Sequence, residues 1–144
     1  MKVIGIVNAL VDIMTSINDD NFLVSQNLPK GSMQLVDKET SDKLMTAISE
    51  FETKIASGGS AANTINGLAK LNIQTGFLGK LGHDELGKHF IKDLIDNNVT
   101  PHISYSDSLS GKAIALVSPD GERTFATFLG AAVEMTANDI HDNL

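Results

Sequence analysis

Residues 57–64 read Ser57-Gly58-Gly59-Ser60-Ala61-Ala62-Asn63-Thr64, and this is the most informative stretch of the chain. Its two glycines remove side chains where the pattern changes from strand to helix, which leaves room for a ligand against bare backbone. The N–H groups at a helix start have no partner within the helix and can donate to that ligand. Asn63 adds an amide donor and acceptor one turn later. The stretch therefore predicts a ligand-binding turn.

The chain alternates between strand and helix around this turn. Strands are predicted at Lys54–Ser57, Thr75–Leu81 and His102–Tyr105, and helices at Ser60–Leu71 and Asp84–Asn97. Short joints between such elements imply parallel strands joined by right-handed crossovers. An apolar run at Val3–Val7 predicts a further buried strand. The sequence thus predicts an α/β fold.

A second pattern consists of β-prone runs joined by a hairpin signal. Ala113–Ser118 and Arg123–Leu129 flank Pro119-Asp120-Gly121-Glu122, and Asp-Gly between two such runs is typical of an antiparallel hairpin. We expect this pair to lie in a different layer from the parallel sheet. Together with Val11–Ile17 and Met33–Val36 it is predicted to form a small appended sheet.

Two more helix starts carry capping signals. Asp37 is a good N-cap for a helix at about Lys38–Glu50, where apolar residues recur at helical spacing. Near the end, Thr136 is followed three residues later by Asp139, which is typical of a helix start. Because the sequence stops at Leu144, soon after that start, we expect it to be the front portion of a longer protein.

The composition limits the classes of function. The chain has 144 residues, 42% of them apolar, and a formal net charge of −7, which together suit one compact domain with an acidic surface. Such a surface repels phosphate backbones, so no nucleic-acid partner is expected. There is no cysteine, no apolar run long enough to span a bilayer, and no metal-ligand spacing among the four histidines. We expect a cytoplasmic protein with no metal site and no membrane contact, and we predict the histidines and Lys80 to be surface residues.

Candidate ligand-binding side chains follow the first predicted strand. Asn8 and Asp12 place an amide and a carboxylate there, where ligands collect in open α/β sheets, although an Asx turn and a solvated acid are the simpler interpretation of this segment alone. The turn at Gly58–Gly59 also fits close helix–sheet packing. It lacks the G-x-G-x-x-G spacing of a dinucleotide site and the Gly-Lys-Ser/Thr of a P-loop, which argues against a Rossmann dehydrogenase.

Six motifs follow one another along nearly the whole chain. They are Asn8-Ala9-Leu10-Val11-Asp12, Gly58-Gly59-Ser60 with Asn63, Gly76-Phe77-Leu78-Gly79-Lys80-Leu81-Gly82-His83-Asp84 with Gly87, Gly111-Lys112-Ala113, Asp120-Gly121-Glu122-Arg123-Thr124, and Gly130-Ala131-Ala132. In this order they resemble the PfkB (ribokinase-like) carbohydrate and nucleoside kinases, and the first motif resembles the adenosine-kinase branch. The resemblance implies the N-terminal part of a ribokinase-like parallel-sheet sandwich, with a small antiparallel β-lid from strands near 11–17, 33–36, 113–118 and 123–129.

The resemblance also implies roles for the matching residues. Asp12, with Asn8 close by, would bind sugar hydroxyls. The floor of the same site would be completed by Gly58, Gly59, Ser60 and Asn63. The expected ligand is therefore a small-molecule sugar or nucleoside.

Two lid residues have a second interpretation. The resemblance implies that Met33 lies over the substrate and that Arg123 approaches the phosphates, a task that suits a planar, multidentate guanidinium. From the residues alone, Met33 is also consistent with ordinary core packing and Arg123 with a solvated hairpin position.

The sequence departs from the family pattern in two ways. Ile65 stands where the family usually has a small residue and Asn72 where it has Gly or Ser, which leaves adenosine, ribose, fructose and inosine open as substrates. The family's second signature, a Gly-Ala-Gly-Asp-like turn whose Asp is the general base, does not occur. The resemblance therefore implies that ATP and Mg²⁺ bind to a C-terminal part outside this chain. Residues 1–144 alone are expected to be inactive and to bind neither tightly.

A second class of function stays open. The hairpin Ala113–Leu129 and the early strands present sheet edges, and unpaired edges accept partner strands. The chain is thus also consistent with a non-catalytic binding or dimerisation module, in which two copies pair through the β-lid as a homodimer.

Overall fold

The computed structural model describes residues 2–143, which form an α/β structure, as the sequence predicts. The strands are β1 (Lys2–Ile6), β2 (Leu10–Ser16), β3 (Met33–Leu35), β4 (Thr53–Gly58), β5 (Gln74–Gly82), β6 (Val99–Ser106), β7 (Gly111–Val117) and β8 (Arg123–Phe128). The α-helices are α1 (Asn21–Ser25), α2 (Lys38–Ala47), α3 (Ser60–Lys70), α4 (Glu85–Asp96) and α5 (Ala137–Asn143), and a 3-10 helix covers Gly130–Glu134.

The chain divides into two compact units. The first, here called the parallel unit, comprises Met1–Val11, Ala56–Gly111 and Leu129–Leu144, and it contains a three-stranded sheet of order β1-β5-β6. The second, here called the mixed unit, comprises Asp12–Ile55 and Lys112–Phe128. Most of a five-stranded sheet of order β3-β8-β7-β2-β4 lies in this second unit.

The parallel unit packs α3 and α4 on its sheet through large apolar side chains. β5 pairs in parallel with β1 and β6, and this register sets Gly5 opposite Phe77. Phe77 is fully buried, and its ring centroid lies 5.1 Å from that of Phe90 in α4. A Cβ on Gly5 would lie only 2.7 Å from Ile65 Cγ1 of α3. The bulky residue that departs from the family pattern is thus accommodated by a glycine on the facing strand.

The segment after β5 forms a structure that we call the glycine knot, residues 82–87 with Ser110. Asp84 caps α4, because its Oδ1 accepts the Gly87 N–H at 2.9 Å, and its Oδ2 accepts the Ser110 N–H at 2.8 Å. The Ser110 hydroxyl oxygen accepts the Gly82 N–H at 2.9 Å. A Cβ on Gly82 would lie 2.3 Å from the carbonyl oxygen of Ser108. The knot is therefore packed backbone against backbone.

The last helix is held to the parallel sheet by an ion pair. Lys80 Nζ donates to both carboxylate oxygens of Asp139 at 3.1 Å, and the two side chains are only 14% and 13% exposed. The Thr136 N–H donates to the same carboxylate at 2.7 Å, which confirms the predicted helix start. These bonds, first the one from the Thr136 N–H, hold the pKa of Asp139 well below its usual range. The surface prediction was wrong for Lys80, and also for His102, whose Nε2 is buried.

The mixed unit contains the predicted hairpin. β7 and β8 pair antiparallel, and Gly121 occupies the turn with φ 87°, a conformation that glycine adopts without strain. β3 adds to β8 in parallel, with Met33 opposite Phe125. All four strands of the predicted appended sheet thus lie in one sheet, which is mixed because β3 runs parallel to its neighbour.

Two sequence predictions are wrong in this region. The strand predicted at Lys54–Ser57 is β4, but it pairs beside β2 in the mixed sheet, because the order of elements along a chain does not fix which sheet a strand joins. The helix predicted to reach Glu50 ends at Ala47, where the chain tightens into a turn. Phe51 instead packs edge-to-face on Phe22, with ring centroids 5.6 Å apart.

Candidate functional site

The Gly58–Gly59 turn joins β4 to α3, as the sequence predicts. Gly59 has φ 92° and ψ 146°, a conformation that is costly for any residue with a side chain. Its carbonyl accepts the Asn63 N–H at 3.1 Å and so begins the helix. Within residues 2–143, no side chain caps this end of α3, so the N–H groups of its first turn remain available to a ligand.

An open depression of about 390 Å³ lies at this turn. It is lined by Val7, Asn8, Leu10, Gly59, Ser60 and Ala61. The structure therefore brings three of the predicted residues together, Asn8, Gly59 and Ser60. Among the described atoms, the one within 4 Å of a Cβ built on Gly59 is the carbonyl oxygen of Asn8, at 3.9 Å. The packing interpretation is thus wrong for Gly59, whose glycine is required by backbone conformation rather than by a close neighbour.

Gly58 and Asn63 flank the same turn. Gly58 ends β4 and is buried, whereas Asn63 is exposed one turn into α3. An exposed amide near an open depression can both donate to and accept from hydroxyl groups. The part of both residues in binding stays a prediction.

Asp12 lies in the mixed unit, on the less covered face of β2. Val11 and Ile13 on either side of it are buried, while Asp12 is half-buried. Burial raises the pKa of the Asp12 carboxyl above its usual range. No group in the part of the chain that the structure describes, residues 2–143, donates a hydrogen bond to this carboxylate. Burial of the Asp12 carboxylate is thus unfavourable, and no hydrogen bond from the described residues compensates for it.

Met33 and Arg123 lie on one face of the mixed sheet. Met33 is opposite Phe125, and Arg123 is two residues before Phe125 on β8, so the three side chains share a face. Met33 is 62% exposed, which shows that the core-packing interpretation was wrong. Arg123 is exposed at the start of β8, and both interpretations of its role stay open.

Sequence reasoning missed the side chain that precedes the glycine pair. Ser57 is buried, and its hydroxyl donates to the carboxylate of Asp93 on α4. Nothing in the local sequence signals this contact, because the two residues are 36 positions apart. The departure at Asn72 is also explained, since its φ of 60° is one that Asn tolerates better than most residues.

The described part of the chain offers neither a metal cluster nor a membrane-spanning helix. Residues 2–143 contain no group of three or more His, Cys, Asp or Glu side chains placed to hold a metal ion. None of the helices in this range has the length and apolar character that a membrane crossing requires.

Comparison with known proteins relates the chain to kinases. The sequence profile described as pfkB family carbohydrate kinase matches residues 30–144. The adenosine kinase of Sinorhizobium meliloti superposes with a TM-score of 0.83 at 34% identity, over 96% of this chain and 42% of that protein. A probable sugar kinase of Rhizobium etli CFN 42 superposes with a TM-score of 0.81 at 31% identity, over 99% of this chain and 44% of that protein.

A curated relative gives the same result from sequence. A 5-dehydro-2-deoxygluconokinase of Geobacillus thermodenitrificans (strain NG80-2) is 30% identical over 91 residues, which are 60% of this chain and 27% of that protein. The chain thus spans less than half the length of each of the three proteins.

Proposed function

This chain belongs to the pfkB family of carbohydrate kinases and has their ribokinase-like α/β fold, and from that premise we propose that it carries the acceptor-binding residues of an ATP-dependent kinase. The acceptor is the hydroxyl of a sugar or nucleoside. The observation that supports this best is the depression of about 390 Å³ at Gly59, which is lined in part by Asn8 and Ser60 and lies at the uncapped start of α3.

The chemistry of these groups suits a neutral, hydroxyl-rich ligand. An ionised carboxylate accepts hydrogen bonds and repels phosphate, so Asp12 is suited to sugar hydroxyls. The Asn8 amide can accept from one hydroxyl and donate to another. Because Gly59 has no side chain, a ligand can approach the backbone of the turn closely.

The donor side of the reaction is assigned elsewhere in the whole protein. Residues 2–143 offer no cluster that fits Mg²⁺, so no step through the ion is assigned to them. We propose that ATP, Mg²⁺ and the general base belong to a part of the protein outside this chain. Arg123 would contribute one charge-stabilising contact to the transferring phosphoryl group, since such transfer depends on positioning and electrostatics.

A binding and turnover panel tests the proposal. The 144-residue chain is titrated calorimetrically with adenosine, ribose, fructose and inosine, and we expect at least one of them to bind. The whole protein, given ATP and Mg²⁺, is expected to phosphorylate that compound, whereas the 144-residue chain alone gives negligible turnover. A whole protein that turns over no member of a broad sugar and nucleoside panel contradicts the proposed activity.

A second candidate function is pairing of two copies through the mixed sheet. β3 is an edge strand, and its Met33 and Leu35 side chains are 62% and 64% exposed. An exposed edge with apolar side chains favours the addition of a partner strand. Light scattering should then give twice the mass of one chain at high concentration, and the mass of one chain at every concentration tested contradicts the pairing.

A further inference from the structure

Helix α4 carries a carboxylate that the proposed function leaves without a role. Asp93 is half-buried near the end of α4, and its carboxylate accepts a hydrogen bond from the Ser57 hydroxyl. From the other side, the Asn97 amide donates to the Asp93 carboxylate at 3.2 Å and to its main-chain carbonyl at 2.8 Å. The carboxylate is thus oriented by one helix residue toward a strand residue in the same unit.

Ser57 sits immediately before the turn that this contact can hold. It is 7% exposed at the end of β4, and Gly58 and Gly59 follow it. Glycines lose more conformational freedom on folding than other residues and have no side chains with which to hold themselves. A turn built from two of them therefore depends on anchors on either side, and the hydrogen bond from Ser57 to Asp93 supplies one.

Helix α4, which carries Asp93, is itself held in place by its cap and by core packing. α4 begins at the Asp84 cap, and its Phe90 ring packs on the buried Phe77 of the sheet. A charge-assisted hydrogen bond from a buried hydroxyl is stronger than one between neutral groups. The end of β4 is thus tied to a helix that packs on the core of the parallel unit.

We propose that Asp93 is a positioning residue for ligand binding: through Ser57 it fixes the Gly58–Gly59 turn, so that Gly59 and Ser60 line the depression beside Asn8. The proposal rests on the proposed function for the identity of the ligand. The geometry of the turn can be measured without any ligand, so the two proposals can fail separately.

The ligand-free measurement uses one amide as a reporter. The Asn63 N–H donates to the carbonyl of Gly59 at 3.1 Å, so its protection from hydrogen exchange reports the geometry of the turn. The Lys88 N–H, which donates to the Asp84 carbonyl at 3.1 Å at the start of α4, is the matched first-turn amide and reports local opening away from the Gly58–Gly59 turn. We expect Asp93→Asn and Ser57→Ala to speed exchange at Asn63 relative to Lys88 by roughly tenfold, the factor that corresponds to one hydrogen bond.

Matched variants separate positioning from a general loss of stability. Asp96→Asn changes an exposed carboxylate of the same helix that pairs with Lys92, and it should leave the exchange ratio unchanged. Ser57→Thr keeps the hydroxyl and should restore the ratio. The double variant should be no worse than Ser57→Ala alone, because both substitutions act on the same bond, which Asp93→Asn weakens and Ser57→Ala removes. If Asp93→Asn does not fold, Ser57→Ala, which leaves the carboxylate and Asn97 in place, decides the question.

Ligand affinity is the second readout. With adenosine as the probe, Asp93→Asn and Ser57→Ala should raise Kd by roughly tenfold, and Ser57→Thr by less than about twofold. An exchange ratio and a Kd within twofold of wild type in both variants overturn the positioning role. If wild type binds none of adenosine, ribose, fructose and inosine, the ligand assignment fails, and the exchange ratio alone then supports or overturns the positioning role.

Discussion

The turn at Gly58–Gly59 and the glycine knot at residues 82–87 use glycine for opposite reasons. Gly59 has φ 92° and faces open space, with its nearest neighbour 3.9 Å from the place of a Cβ. Gly82 has no such backbone conformation, but a Cβ there would lie 2.3 Å and 2.8 Å from backbone atoms of Ser108 and Ser110. The first glycine is required by its dihedral angles and leaves room, whereas the second is required by packing and leaves none.

Two acids of the chain, Asp84 and Asp12, also differ from each other. Asp84 in the knot is used entirely by the fold, since its two oxygens accept the Gly87 and Ser110 N–H groups. Asp12 has a pKa raised by burial, and no group in residues 2–143 donates to it. A carboxylate that the fold satisfies indicates a structural role, and one that burial disfavours is a candidate for contact with a ligand. The comparison teaches that glycines, and likewise acids, in different motifs of one family serve different purposes.

The largest expected effect comes from filling the knot. Gly82→Ala should lower the free energy of unfolding by about 3 kcal/mol, because the new methyl group meets backbone atoms on two sides that cannot move independently. Urea denaturation followed by circular dichroism measures the change. A loss below about 1 kcal/mol would show that the knot is loosely packed and that packing does not require the glycine at position 82.

Gly59→Ala should lower the free energy of unfolding less than Gly82→Ala does, and it should weaken ligand binding. The strained backbone at φ 92° predicts a loss of about 2 kcal/mol, with no clash to add to it. The methyl group would project beside Asn8 at the depression, so the affinity for a bound nucleoside should fall by at least tenfold, roughly the loss of one good contact. Calorimetric titration of the folded variant tests this. Full affinity in a destabilised variant would mean that the ligand lies elsewhere.

Gly67→Ala is the control for both substitutions, and it should have the opposite sign. Gly67 lies inside α3, is exposed, and has no heavy atom of the described residues within 4 Å of its Cβ position. Alanine there should raise the free energy of unfolding by roughly 0.5–1 kcal/mol through helix propensity. The same denaturation experiment should show this gain with unchanged ligand affinity. A loss of stability would indicate that α3 bends at this position.

Local chemistry explains what could be predicted from the sequence. The hairpin at Asp120–Gly121, the cap at Asp37 and the turn at Gly59 each depend on residues close together in the chain. Conformational preferences and capping act over that range. The resemblance to the kinase family, rather than the spacing of the residues, predicted Asn8 and Gly59 in one candidate site.

Long-range choices explain what could not be predicted. The sheet that β4 joins depends on the competition between two sheets, and no residue within Thr53–Gly58 encodes that choice. The Lys80–Asp139 ion pair and the Ser57–Asp93 hydrogen bond join residues 59 and 36 positions apart. With one sequence, a charged residue that will be solvated and one that will be paired carry the same signal.

Asp12→Asn is expected to have the smallest effect on stability. The pH dependence of the Asp12 carboxyl determines whether the substitution raises or lowers the free energy of unfolding. Because the folded-state pKa of Asp12 is raised above 3.8, folding favours the protonated carboxyl. The stability that this group contributes is present below the unfolded pKa and is lost as the pH rises through the folded pKa. At pH 7 the neutral Asn should therefore raise the free energy of unfolding, by no more than about 1 kcal/mol, and the gain should shrink as the pH is lowered toward 4. Denaturation at several pH values tests this, with the exposed Asp107→Asn as the control, expected within about 0.5 kcal/mol of wild type.

The same Asp12→Asn substitution should weaken nucleoside binding by roughly tenfold or more, because a hydroxyl that donates to a carboxylate loses a charged acceptor. A variant that is more stable and still binds fully would show that Asp12 is an unused buried acid, and the contrast with Asp84 would then concern folding alone.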